Sequence, residues 1–153
     1  MILLGLAFVA FSNSAIAQEH IVGKVQSTRD CSDLNVHSKL IDLDKELEDN
    51  GYKMVFFTSG NVPSKDLMSV RLDCKAGENY EIRYVLGANS RKYQLNVIDN
   101  NVDHIVRIGG KTEGQDLRIY KEHFTAKSTG VYVIIYSQQT KLDNCVGLSV
   151  FKK

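Results

Sequence analysis

The reactive chemistry of this chain rests on three cysteines, four histidines and one acidic turn. Cys31, Cys74 and Cys145 reach an oxidising compartment if the protein is exported, and there two of the three are expected to pair. The expected pair is Cys74–Cys145. Cys74 closes the first predicted sandwich strand and Cys145 opens the last, and first and last strands of such folds commonly lie side by side. Cys31–Cys145 is the alternative, and it ties the N-terminal arm to the last strand. A thiol nucleophile is not expected, because pairing consumes two cysteines and none has a histidine close by in sequence.

Asp99-x-Asn101-x-Asp103 copies the opening of a calcium loop. The copy then stops, with His104 where the loop needs glycine and Gly110 where it needs a bidentate glutamate. A polar hairpin tip is the expectation, and a weak extracellular calcium site completed by Glu113 or Asp116 is the functional alternative. Calcium is the single candidate cofactor; otherwise none is expected.

Other catalytic patterns fail on geometry. His20, His37, His104 and His123 are scattered, and no H-E-x-x-H or G-x-S-x-G occurs. Ser149-x-x-Lys152 has nucleophile-pair spacing for a helix, but on a strand those residues point to opposite faces. Gly110-Lys111-Thr112 imitates the end of a phosphate loop, yet Ile105 occupies the place of its first glycine and no helix follows. The chain has no tryptophan and seven tyrosines. Tyr80 and Tyr84 share a face with Ile82 and Leu86 and are expected in the core. Tyr120 is the ring expected to be exposed, because Leu117 and Ile119 take the opposite parity.

The elements that must position these residues are mostly strands. Leu40, Leu43 and Leu47 recur at helical spacing among charged residues, and Asn50-Gly51 supplies a stop, so one short helix is predicted over about 40–49. After Gly51 the apolar period becomes two. Strands are predicted near 52–59, 68–74, 79–87, 93–99, 104–108, 117–124, 131–137 and 146–151, bounded by Gly, Asn, Asp and Ser. Residues 18–37 read as a polar arm with one short strand around 20–25. Val131–Tyr136 is apolar on both faces, which predicts a central strand covered on both sides. Eight short strands without a βαβ rhythm predict an all-β fold, an antiparallel β-sandwich of jelly-roll type.

The first residues predict export. Ile2–Phe11 is an unbroken apolar run, Ser12–Ser14 breaks it, and Ala15-Ile16-Ala17 fits the signal-peptidase pattern. Residues 1–17 therefore read as a cleaved signal peptide and 18–153 as a single domain with its helical segment near the front. The run is too short to span a bilayer, and no later segment approaches the necessary length. The formal charge is +1 without basic clusters, which argues against nucleic acid as a partner.

Part of the chain resembles a known family. Val70–Tyr80, containing Leu72 and Ala76-Gly77-Glu78-Asn79-Tyr80, is similar to the opening of bacterial pre-peptidase C-terminal domains. Tyr93–Asn101 resembles their strand-and-turn unit, and Phe124–Tyr132 their hairpin with Gly130 and Tyr132. The resemblance covers about residues 66–153 and implies a β-sandwich in which Phe124 and Tyr132 pack from adjacent strands. Those domains are non-catalytic appendages of exocellular enzymes, but no enzyme domain accompanies this one. The functional expectation is an exported, non-catalytic binding or structural module of the envelope or medium, with a protein or glycan partner. The alternative is a calcium-assisted carbohydrate binder.

Overall fold

The protein is described from a computed structural model covering residues 25–26, 34–88, 91–111, 117–139 and 144–153. Residues 1–17, expected from the sequence to be a signal peptide, and Cys31, Glu113 and Asp116 lie outside the described residues. A two-residue strand β1 (Val25–Gln26) precedes one helix, α1 (Leu34–Asp49). Eight strands follow: β2 (Lys53–Val62), β3 (Leu67–Cys74), β4 (Asn79–Leu86), β5 (Lys92–Ile98), β6 (His104–Lys111), β7 (Arg118–Thr125), β8 (Gly130–Gln139) and β9 (Asn144–Lys152).

These strands form two sheets, ordered β1-β2-β9-β4-β7 and β3-β8-β5-β6. Setting β1 aside, all neighbours are antiparallel, and the chain crosses between sheets at most connections. This is the strand order of a jelly roll, an all-β sandwich built from two Greek keys. The rule that first and last strands pair holds, but the first strand is β2. Lys53↔Lys152 through Val62↔Asn144 runs the length of both, so the sandwich begins ahead of the stretch that resembles pre-peptidase C-terminal domains.

Alternation fills the space between the sheets. Val70, Leu72, Tyr80, Ile82, Tyr84, Leu95, Val97, Tyr132, Ile134, Leu148 and Val150 are buried in one cluster. A bulge between Met54 and Phe56 lets both Val55 and Phe56 meet this core. Tyr80 and Tyr84 lie there as expected. Phe124 and Tyr132 do not sit on adjacent strands of one sheet. β7 and β8 belong to opposite sheets, and the two rings stack across the core at 5.7 Å, with Tyr80 on the other side of Phe124 at 5.1 Å. Tyr132 also secures the β7–β8 turn, where its hydroxyl accepts from the Lys127 and Ser128 backbone N–H groups.

The helix covers the outer face of the first sheet. Val36, Leu40, Leu43 and Leu47 all lie on its buried side, and Val36, Leu40 and Leu43 pack with Phe57, Val85 and Cys145. It starts six residues earlier than the leucine spacing predicts, because Val36 extends the same stripe by one turn. Its end matches the expectation: Gly51 has φ 80°, and Tyr52 N–H bonds back to the Leu47 carbonyl at 3.0 Å. At Gly147 a Cβ would lie 3.0 Å from Leu40 Cδ2, so glycine lets the helix approach β9 closely. Among the described residues no helix covers the outer face of the second sheet, and Val131 is 42% exposed on the central strand β8. The expectation that this strand is covered on both sides is therefore corrected.

Candidate binding cleft

The cysteine expectation is overturned. Cys74 is a free, buried thiol. It ends β3 opposite Gly130, beside Tyr80, Glu78 and Lys152, and burial pushes its pKa up to about 11. Cys145 begins β9 opposite Asn61 and faces the helix. Lys152, near Cys74, is seven residues along β9 from Cys145, about 23 Å at strand rise. A disulfide needs Cα atoms within about 7 Å. Cys74–Cys145 is thus excluded by both distance and facing.

Asp99 caps a turn. It is 5% exposed, and its Oδ1 accepts from the backbone N–H groups of Asn101 and Asp103, each at 2.9 Å. Asn101 and Asp103 are exposed at the tip. Among the described residues no group of three His, Cys, Asp or Glu is placed to hold a metal ion.

Tyr120 is not the exposed ring that its parity suggests. It points into the sandwich, 5.4 Å from the Tyr93 ring, and its hydroxyl donates to that of Tyr93 on the opposite sheet. Leu117, taken as inward, packs with the helix cluster instead. Once a helix covers a sheet, apolar residues on either parity can be buried. His104 and His123 are exposed.

A polar seam between helix and sheet was not anticipated. Asp44 is 3% exposed and accepts a hydrogen bond from Ser149 Oγ, and His37 Nδ1 lies 2.7 Å from Ser59 Oγ. Serine, histidine and aspartate thus meet, but as two separate pairs two helical turns apart, with both serines fully buried. Neither Ser59 nor Ser149 is open to a substrate. Arg83, 5% exposed on the same face, donates to Glu81 Oε2 at 3.0 Å.

An open surface feature lies elsewhere. At the end of the sandwich where β5 begins and β6 and β8 finish, a cleft of about 510 Å³ opens. Lys65, Lys92 and Lys111, all exposed, form its rim. Tyr93 and Gln138 line it deeper, and Gln94, Ser137 and Gln139 supply further polar groups. The last rungs of the sheet fix this arrangement: Lys92 pairs with Lys111 on one side and Gln139 on the other, and Tyr93 with Gly110 and Gln138. Gly110 leaves room for the ring, since a Cβ there would meet Tyr93 Oη at 2.9 Å. Gln138, 2% exposed, donates from Nε2 to the Val62 carbonyl and ties the two sheets together beneath the cleft. Lys65 is held by its backbone N–H bond to the Gln138 carbonyl at 2.9 Å. The volume falls in the range of small-ligand sites. The lysines come from the β2–β3 turn, the start of β5 and the end of β6, so no local motif announces them.

No family model and no curated protein matches the chain. Among solved structures it is similar to Aeromonas hydrophila PliG, a periplasmic lysozyme inhibitor of g-type lysozyme. Identity is 17%, the TM-score 0.46, and the match covers 68% of this chain and 90% of that one. A second, described as CBM4 structure and function, is 10% identical with TM-score 0.48, covering 67% of this chain and 79% of that one. A tailspike domain of bacteriophage CBA120 is 11% identical with TM-score 0.40, covering 61% and 17%. The likeness at these identities concerns the fold, and the chain is an antiparallel β-sandwich with one helix.

Proposed function

We propose that this chain is an exported, non-catalytic binding module of the cell envelope or medium, and that it binds through the lysine-rimmed cleft. The cleft carries the reading. It is an open cleft at the ends of three strands of one sheet, with three lysines at its rim and amide side chains along it. The absence of catalysis is supported by the serine, histidine and aspartate pairs lying buried in the helix seam. Export is supported by the Ile2–Phe11 run and Ala15-Ile16-Ala17. Expressed with its own N-terminus, the protein should leave the cytoplasm and begin at Gln18. Among the described residues no helix is long and apolar enough to cross a membrane.

A calcium-assisted carbohydrate site at Asp99, Asn101 and Asp103 is the less favoured reading. That turn follows β5, whereas the cleft lies where β5 starts, at the other end of the sheet. Screening glycans and purified envelope proteins by calorimetry, with the wild type and a Lys92→Glu/Lys111→Glu variant, tests the main reading. A ligand bound by the wild type and lost by the folded variant supports it. Binding that the variant leaves intact, or chemical turnover of a bound ligand, overturns it.

A further inference from the structure

The cleft contains two features that a folded chain does not need. Lys92 and Lys111 stand directly opposite each other on β5 and β6. Like charges in that position destabilise a sheet. Among the described residues neither forms an ion pair, and the same holds for Lys65. The second feature is the backbone of Lys65, whose φ is 73°. A lysine in the left-handed region costs free energy that glycine would avoid, and such strain concentrates at functional positions. Three ammonium groups are thus brought to one opening against local preference, and among the described residues no carboxylate receives them.

We infer that the cleft takes a carboxylate-bearing oligosaccharide, with its carboxylates on Lys65, Lys92 and Lys111 and its hydroxyl groups on Gln94, Ser137 and Gln139. This rests on the reading of the cleft as the binding site. An anion between Lys92 and Lys111 turns a repulsive cross-strand pair into two charge-assisted contacts. Gln94, Ser137 and Gln139 match the hydroxyl groups of a sugar in both donor and acceptor capacity. An acidic peptide is less well served. Peptide recognition relies on pockets for aliphatic or aromatic anchors, and among the described residues no aliphatic side chain lines this cleft.

Titration calorimetry of the full mature protein with oligogalacturonate, and with the same oligomer methyl-esterified, tests the inference. The acid form should bind and the ester at least tenfold more weakly, with affinity falling as salt rises. Lys92→Gln/Lys111→Gln should weaken binding about tenfold or more. Lys65→Gly should also weaken it while leaving Tm unchanged or higher, which separates a ligand-binding lysine from a structural one. Failure of the acid oligomer to bind, or equal binding of acid and ester, overturns the inference. If the ester binds equally and the double variant still abolishes binding, the cleft stands as the site and only its anion preference falls. If poly-glutamate binds as tightly as the oligosaccharide, the saccharide assignment falls. If binding survives every cleft variant, the cleft reading falls with it.

Discussion

Ser149 on β9 donates a hydrogen bond to the carboxylate of Asp44 on α1, 105 positions earlier, and the bond is sealed between helix and sheet. The second carboxylate oxygen, Oδ2, is buried without a hydrogen-bond partner. Burial, reinforced by Glu48, raises the Asp44 pKa from 3.8 to about 6, against the lowering pull of Ser149 and Arg83. The folded state therefore holds its proton more tightly than the unfolded chain. Between about pH 4 and 6 the folded state binds more protons, so this residue's contribution to stability falls as pH rises through that window. Asp44→Asn keeps an acceptor for Ser149 and removes the charge. The variant should melt higher than the wild type at pH 7, with the difference shrinking toward zero near pH 4. A constant difference across that range would show that Asp44 does not titrate there.

Gly147 sets how closely the helix sits on β9. Gly147→Ala places a methyl 3.0 Å from Leu40 Cδ2 and 3.4 Å from Val36 Cγ1. Overpacking of this kind costs about 1–3 kcal/mol. Denaturant unfolding should show that loss, and Gly147→Ala combined with Leu40→Ala should cost less than the two singles added. Strict additivity would mean that the two residues do not touch.

Much of the sandwich was legible because each strand carries its own period-two pattern. All eight strands from β2 to β9 lie where alternation and turn residues place them. Their order was less accessible, since β2 pairs with β9 across the whole chain and no local pattern encodes that neighbour. Taking the resemblance at residue 66 as the start of the sandwich made β3 the first strand, and the disulfide expectation inherited that error. Asp44 was legible in principle. It stands four residues after Leu40 and beside Leu43, on the apolar stripe, but charge made it read as solvated. The cleft was not legible, because Lys65, Lys92 and Lys111 meet only after one turn and two strand ends, distant in sequence, are assembled.

The Asp99 turn predicts a clean separation of stability from calcium. Asp99→Ala leaves two backbone N–H groups without their acceptor and should cost about 1–3 kcal/mol. Val102, 75% exposed with φ 67°, is strained in the same turn, so Val102→Gly should not lower Tm. Calcium at 5 mM should leave the wild-type Tm unchanged. A site with a Kd of about 0.1 mM would instead stabilise by about 2 kcal/mol at that concentration. A rise of several degrees that Asp99→Ala abolishes would restore the calcium reading.

The cysteines give the last prediction. Cys145 is not free, it faces the helix, and Cys74 is on the wrong side of the sheet and at the wrong end to be its partner. Cys31 precedes the start of α1 by three residues, and the first turn of that helix brings Val36 into the same cluster as Cys145. The expected bond is Cys31–Cys145, which would fasten the helix to β9. Peptide mapping without reductant should recover those two cysteines linked and Cys74 as a thiol. Native Cys74 should resist alkylation, since burial raises its pKa to about 11 and keeps it from the thiolate form, and it should react once the protein unfolds. Cys31→Ser and Cys145→Ser should each lower stability by about 2–4 kcal/mol, whereas reduction should add nothing further to either variant. A linked peptide containing Cys74 would require the end of β3 to leave the core, and the strand order described above would then be wrong.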